Sequence, residues 1–144
     1  MRLLILALLF LPLLVNSSNE FNNKIEEFSK EYQVDEKLAR RIIRCESANR
    51  SDAINRGKIS TDYSYWQIAD IFWKKEMMDL GWDITDPEDN LEAGFYILKT
   101  YGSWPWKASL HCHGVKLQNP KPQIITKKLT PRLWILPSGL VVFM

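Results

Sequence analysis

Two carboxylates, Glu46 and Asp62, lie in a part of the sequence whose residue types could support acid–base chemistry. Glu46 directly follows a run that is typical of a helix with one apolar side. A negative charge in the last turn of a helix is mildly unfavourable. A carboxyl group donates a proton near neutral pH only when its pKa is raised, usually by burial against apolar groups. Glu46 is therefore either a surface acid at a helix end or a proton donor facing a cleft. Asp62 either assists it or bonds to nearby loop backbone.

Polar side chains next to these acids have alternative roles. The hydroxyl of Ser47 could hydrogen-bond a substrate or Glu46, or it could cap the helix end. Gln67 lies in a strongly apolar segment, and burying an amide without hydrogen-bond partners is unfavourable. We expect Gln67 to bond to loop backbone and so to shape the site.

Aromatic side chains are frequent after Asp62. Tyr63 and Tyr65 are predicted to line the cleft. Tryptophans recur from Trp66 to Trp106, and aromatic rings stack well on the C–H faces of sugars. Core packing explains most of them equally well, so we assign only Trp104 or Trp106 to substrate binding.

Two helices are predicted before Glu46. Apolar residues at helical spacing indicate an amphipathic helix: Phe21, Ile25, Phe28 and Tyr32. Asp35 is predicted to cap the next helix, which ends at Glu46. Its arginines lie on the solvent side, and its apolar side carries Leu38, Ala39, Ile42, Ile43 and Cys45.

The segments after Glu46 are predicted as a loop, a small hairpin and three helices. The loop covers residues 47–62, and an extended hairpin is expected at 59–68. The third helix runs from Asp70 to Leu80. Asp86 and Pro87 are a strong helix start, and that helix ends before Gly102. A short helix is expected from Trp106 to Cys112.

The ends of the chain differ from its middle. Residues 1–17 resemble a secretory signal: Arg2 precedes an apolar run from Leu3 to Val15. We therefore expect export, to the periplasm, the cell envelope or the medium, and a domain at residues 18–112. Residues 113–144 form a basic, proline-interrupted tail for which the sequence gives no structural account.

Charge and cysteine content limit the possible functions. The formal net charge is +2, which argues against a nucleic-acid partner. Cys45 and Cys112 allow one disulfide, although a buried free thiol beside Glu46 is the alternative. His111, Cys112 and His113 are potential metal ligands, but adjacent side chains point apart, so we expect no metal and no cofactor.

The central stretch resembles the SLT-type lytic transglycosylases of the lysozyme-like superfamily, over about residues 30 to 110. The likeness is closest to small secreted members that accompany bacterial secretion and pilus machines. The matching motifs are Glu46-Ser47, Asn49, Ala53, Asn55, Asp62 to Ile68, and Asp86 to Leu98. Ser64 replaces a usual glycine, and the family's Ala-Tyr-Asn-Ala-Gly element is missing near Lys107 to Gly114.

This resemblance implies a fold and a function. The implied fold is all-α and lysozyme-like, with a catalytic cleft and a small extended hairpin. The implied reaction cleaves the bond between N-acetylmuramic acid and N-acetylglucosamine in peptidoglycan, with Glu46 as general acid and base and a 1,6-anhydro product. The alternatives are a hydrolytic muramidase using Glu46 and Asp62, and an inactive glycan-binding or assembly protein. The expected partners are glycan strands and a secretion or pilus complex, and we expect a monomer.

Overall fold

The fold places five helices around a small antiparallel sheet in the part of the chain that the structure describes. The computed structural model describes the backbone of residues 4–114, 133–135 and 141–143, and the side chains of residues 18–114. The elements are α1 (Leu4–Tyr32), α2 (Glu36–Ser47), β1 (Ile54–Arg56), β2 (Thr61–Tyr63), β3 (Ile68–Ala69), α3 (Asp70–Asp79), α4 (Pro87–Tyr101), a 3-10 helix (Trp104–Ser109), α5 (Leu110–His113), β4 (Leu133–Ile135) and β5 (Val141–Phe143). The mostly helical, lysozyme-like fold is confirmed.

Side-chain caps begin two of the helices at the predicted residues. The Asp35 carboxylate accepts hydrogen bonds from the backbone N–H groups of Lys37 (2.8 Å) and Leu38 (3.4 Å). Asp86 accepts from Glu88 and from the following residue, with Pro87 in the first turn. Each cap satisfies backbone donors that have no partner within the helix, which typically stabilises a helix by about 1 kcal/mol.

The core forms between α1, α2 and α4, with Trp66 at its centre. The apolar side of α2 is buried as predicted, and Ile25 of α1 is buried against it. The Trp66 ring is fully buried, and its Nε1 donates to the Leu91 carbonyl at 2.9 Å. Gly94 of α4 faces this ring so closely that a Cβ there would lie 2.1 Å from it. Packing of Trp66 on α4 thus fixes the sheet relative to the helices.

The sheet differs from the predicted hairpin at 59–68. It has the order β1-β2-β3, with Ile54 opposite Tyr63 and Asp62 opposite Ala69. The first strand lies inside the predicted loop at 47–62. Residues 64–67 form a turn rather than a strand.

A buried side chain accounts for this turn. The Asn90 amide donates to the carbonyls of Tyr63 and Ile84, both at 2.9 Å, and its oxygen accepts from the Trp66 N–H. Ser64 and Gln67 both have left-handed backbone, with φ of 58° and 49°. A distant residue on α4 therefore holds a conformation that local propensity disfavours.

The last helical segment begins earlier than predicted. A 3-10 helix starts at Trp104 and passes directly into the short α5. A disulfide joins Cys45 of α2 to Cys112 of α5, with the two Cα atoms 5.9 Å apart. Of the two alternatives left open by the sequence, the structure shows the disulfide. The end of the helical region is thereby tied to the residue preceding Glu46.

At the ends of the chain the structure describes backbone segments only. Within the predicted signal at residues 1–17, the backbone from residue 4 is part of α1, and the side chains lie outside the described residues. In the tail, β4 and β5 pair in antiparallel register. Among the described residues, no helix combines the length and apolar character needed to cross a bilayer.

Candidate active site

A groove of about 610 Å³ lies beside the C-terminal end of α2. Its size falls in the ordinary range for ligand sites, about 300 to 1,000 Å³. Both acids singled out in the sequence line it, together with α3, the end of α4 and the 3-10 helix. The lining residues are Glu46, Asp62, Gln67, Ile68, Ala69, Phe72, Trp73, Glu76, Ile97, Tyr101, Trp104, Pro105, Trp106, Lys107 and Ala108.

Glu46 is half-buried in the last turn of α2. Burial raises the pKa of its carboxyl above the ordinary value, and the charge of Asp62 acts in the same direction. A hydrogen bond from Ser109 Oγ to Glu46 Oε1 and the neighbouring His113 partly oppose this increase in pKa. The carboxyl group therefore retains its proton to a higher pH than an ordinary glutamate, which is the property that a proton donor needs.

Asp62 reaches the same groove from β2. Its carboxylate accepts hydrogen bonds from Asn55 Nδ2 at 3.2 Å and from Ser60 Oγ at 3.4 Å. These bonds hold it on the sheet while it remains close enough to Glu46 to affect the pKa of that residue. The arrangement suits either a structural role on the hairpin or assistance to a developing positive charge.

Three of the candidate substrate-binding residues line the groove: Gln67, Trp104 and Trp106, of which Trp106 is buried. Trp104 is 49% exposed, and Lys107 Nζ lies 4.6 Å from the centroid of its ring. Gln67 also lines the groove, but its Nε2 donates to the carbonyls of Ala53 (3.1 Å) and Ser64 (2.8 Å). Gln67 thus bonds to loop backbone as expected, whereas the half-exposed Trp104 is accessible to a ligand in the groove.

Three other residues predicted to contact substrate do not line the groove. Ser47 is buried, and its hydroxyl lies within hydrogen-bond distance of the carbonyls of Ile43 (3.1 Å) and Tyr65 (2.9 Å). The Tyr65 ring stacks on Phe21 of α1 at 4.9 Å and lines a separate, smaller cavity. Tyr63 is partly buried against the core. The prediction that Tyr63 and Tyr65 line the cleft is corrected: Tyr63 packs against the core from β2, and Tyr65 lies in the turn at residues 64–67 and contacts α1. For Ser47 the sequence left alternatives open, and its hydroxyl contacts backbone of α2 and of the turn.

Several groove residues are not indicated by any sequence pattern. Phe72, Trp73 and Glu76 of α3 and Tyr101 of α4 form one wall, and Phe72 is 74% exposed. Their helices were predicted, but periodicity does not show which side of a helix faces a ligand.

Ser109 was also missed, although the sequence held a signal for it. If Cys45 pairs with Cys112, residues just before Cys112 must lie near Glu46.

Among residues 18–114, no cluster of three or more histidines, cysteines or acids is arranged to hold a metal ion.

The comparisons with known proteins identify the family. The model of the transglycosylase SLT domain matches residues 23–106, a range that includes Glu46, Asp62 and Trp104. The chain belongs to the SLT transglycosylase family. Members of this family are lytic transglycosylases of peptidoglycan, so the protein is an enzyme of that class. A search of curated proteins and a search of solved structures each gave no match. The predicted SLT family membership is thus confirmed, and the match ends just before Ser109.

Proposed function

We propose that this SLT-family enzyme cleaves the β-1,4 bond between N-acetylmuramic acid and N-acetylglucosamine, with Glu46 as both acid and base. The observation that carries the proposal is a half-buried glutamate with a raised pKa in the wall of an aromatic-lined groove. An ordinary solvated helix-end acid would have neither feature.

The proposed reaction needs one carboxyl group. Glu46 donates its proton to the glycosidic oxygen as the bond from that oxygen to C1 of the muramic residue breaks, which frees the 4-hydroxyl of N-acetylglucosamine. The substrate's N-acetyl group stabilises the positive charge that develops at C1. The Glu46 carboxylate then takes the proton of the 6-hydroxyl while that oxygen attacks C1. The product is a 1,6-anhydro sugar, and Glu46 returns to its protonated form without a water molecule.

The groove supports a carbohydrate substrate. Trp104 and Phe72 present exposed rings on which pyranose faces can stack. Lys107, beside the Trp104 ring, supplies a positive charge for the carboxylates of the peptide stems. We also propose that residues 1–17 direct export and are removed on translocation. Ile25 and Phe28, on the part of α1 retained after that cleavage, pack in the core.

A hydrolytic muramidase is the second candidate. It is favoured by the presence of Asp62 in the same groove, where its charge raises the pKa of Glu46. In that mechanism Asp62 stabilises or attacks the sugar cation and water completes the reaction. The two mechanisms release different ends: anhydro-muramic acid from the transglycosylase and reducing muramic acid from the hydrolase.

The test is digestion of purified peptidoglycan sacculi by wild type and Glu46→Gln, followed by mass spectrometry of the released sugars. We expect anhydro-muramic ends from wild type and a loss of at least 1,000-fold in Glu46→Gln, because its amide cannot donate the required proton. Glu36→Gln is the matched control, since Glu36 lies on the same helix, pairs with Arg40 and is outside the groove. Substantial cleavage by Glu46→Gln contradicts the proposal, and binding without cleavage by wild type shows a glycan-binding protein instead.

A further inference from the structure

The hydroxyl of Ser109 lies near two oxygen atoms, and its single hydrogen can be donated to only one of them at a time. Ser109 Oγ is hydrogen-bonded to Glu46 Oε1, and it also lies 3.0 Å from the carbonyl oxygen of Trp106. A hydroxyl has one hydrogen and two acceptor lone pairs. It donates to Glu46 when that residue is ionised. When Glu46 is protonated, Ser109 Oγ can accept a hydrogen bond from the carboxyl O–H and donate its own hydrogen to the Trp106 carbonyl.

We infer that Ser109 is a positioning residue that holds Glu46 in both of its protonation states by reversing the direction of their hydrogen bond. The inference rests on the proposed function of Glu46, because a residue that acts first as acid and then as base needs a partner suited to both forms. A partner that only donates hydrogen bonds, such as a lysine, would favour the carboxylate and destabilise the protonated form of Glu46. A partner that only accepts would oppose the carboxylate.

The position of Ser109 is fixed from several sides. It ends the 3-10 helix, in which the Trp106 ring is buried and its Nε1 donates to the Trp66 carbonyl at 2.8 Å. The Trp106 carbonyl also lies 3.1 Å from Nε2 of the buried His113. Three residues after Ser109, Cys112 is bonded to Cys45, the residue before Glu46. The disulfide thus cross-links the two chain segments that carry Ser109 and Glu46.

Titratable groups from several elements lie near Glu46 or line its groove. Asp62 on β2 and His113 on α5 act on Glu46 in opposite directions, and Glu76 and Lys107 line the same groove. The Ser109 hydrogen bond itself favours the carboxylate and lowers the pKa of Glu46. Removing this hydroxyl therefore raises the pKa of Glu46 further, provided that the other four groups are unchanged.

The test compares wild type, Ser109→Ala and Ser109→Thr. Titration of the Glu46 side-chain carboxyl by carbon-13 NMR measures its pKa without any need for activity. We expect the pKa to rise in Ser109→Ala and to return towards the wild-type value in Ser109→Thr, which keeps the hydroxyl. We also expect kcat to fall about 10- to 100-fold in Ser109→Ala, because a small misplacement of a catalytic group has effects of this size. KM should change less than kcat. Ser51→Ala, at an exposed loop serine, is the matched control.

An unchanged Glu46 pKa and an unchanged kcat in folded Ser109→Ala overturn the inference. A threonine variant as impaired as the alanine variant also overturns it, since that pattern indicates packing alone. If Ser109→Ala fails to fold, the Cβ resonance of Ser109 in wild type must shift at the midpoint of the Glu46 titration, and no shift overturns the inference. Activity retained in Glu46→Gln would contradict the proposed function separately, because these titrations do not depend on turnover.

Discussion

At the scale of single residues, the protonation of Glu46 is governed by competing neighbours. Burial and Asp62 raise the pKa of its carboxyl, whereas Ser109 and His113 lower it. A general acid is most effective when its pKa lies near the working pH, because it is then both protonated and able to transfer its proton. The groove therefore combines an apolar wall, which disfavours the charge, with a hydroxyl group, which keeps the carboxylate accessible for the second step.

Asp62→Asn separates the two candidate mechanisms. Removing the charge of Asp62 lowers the pKa of Glu46, so the protonated acid is lost at a lower pH and the alkaline limb of the kcat/KM profile shifts downward. For a transglycosylase we expect that shift with less than about a tenfold loss of rate at the optimum pH. Asp52→Asn, at an exposed loop acid that pairs with Arg50, should change neither property.

A different outcome would identify a hydrolase. A loss of 100-fold or more in Asp62→Asn, at every pH and with reducing ends in the wild-type products, would show that Asp62 takes part in the chemistry. The measurement is the pH dependence of sacculus digestion, with product analysis for each variant.

At the scale of elements, the contact between α4 and Trp66 determines where the sheet lies. Asn90 and Gly94 are on neighbouring turns of α4: the first bonds to the turn at residues 64–67, and the second gives room to the Trp66 ring. Asp62 is on the strand that leads into this turn, so its place in the groove depends on that contact. The hairpin is thus positioned by the helix behind it.

Gly94→Ala tests this contact. Alanine is favoured over glycine in a helix by about 1 kcal/mol, but its Cβ would lie 2.1 Å from the Trp66 ring, which is buried and hydrogen-bonded. Overpacking of this kind costs typically 1–3 kcal/mol and is expected to exceed the gain in helix propensity. We expect a lower midpoint in urea unfolding monitored by circular dichroism. Lys99→Ala on the same helix is the control, and an equal or higher midpoint for Gly94→Ala would contradict the prediction.

At the scale of the whole molecule, the groove is assembled from segments far apart in the chain. Its walls come from α2, the sheet, α3, the end of α4 and the 3-10 helix. The disulfide spans a sequence separation of 67 residues and joins α5 to α2 at the residue before Glu46. In the chain-entropy model, a link of this length stabilises the folded state by about 4 kcal/mol.

Removing both cysteines tests the role of this link. We expect Cys45→Ala/Cys112→Ala to lower the free energy of unfolding by about 3–5 kcal/mol. We also expect catalytic activity to fall in the molecules that remain folded, because Ser109 is no longer tied to the end of α2. Urea unfolding and single-turnover digestion measure the two effects, and wild type with reductant should change in the same direction. Unchanged stability in the double variant would contradict the prediction.

The sequence by itself determined what depends on near neighbours along the chain. The caps at Asp35 and Asp86, the apolar face of α2 and the location of Glu46 at a helix end all follow from local spacing and backbone donors. The motif order also identified the family, which the domain match confirms.

Only the tertiary structure decided which side chains meet in the groove. The left-handed turn that directs Tyr65 away from the groove is held by Asn90 on α4, and the contact of Ser109 with Glu46 requires the end of the domain to return to α2. Such contacts join residues distant in sequence, so their free energy appears only when the helices pack together. Local patterns of residue types do not contain that information.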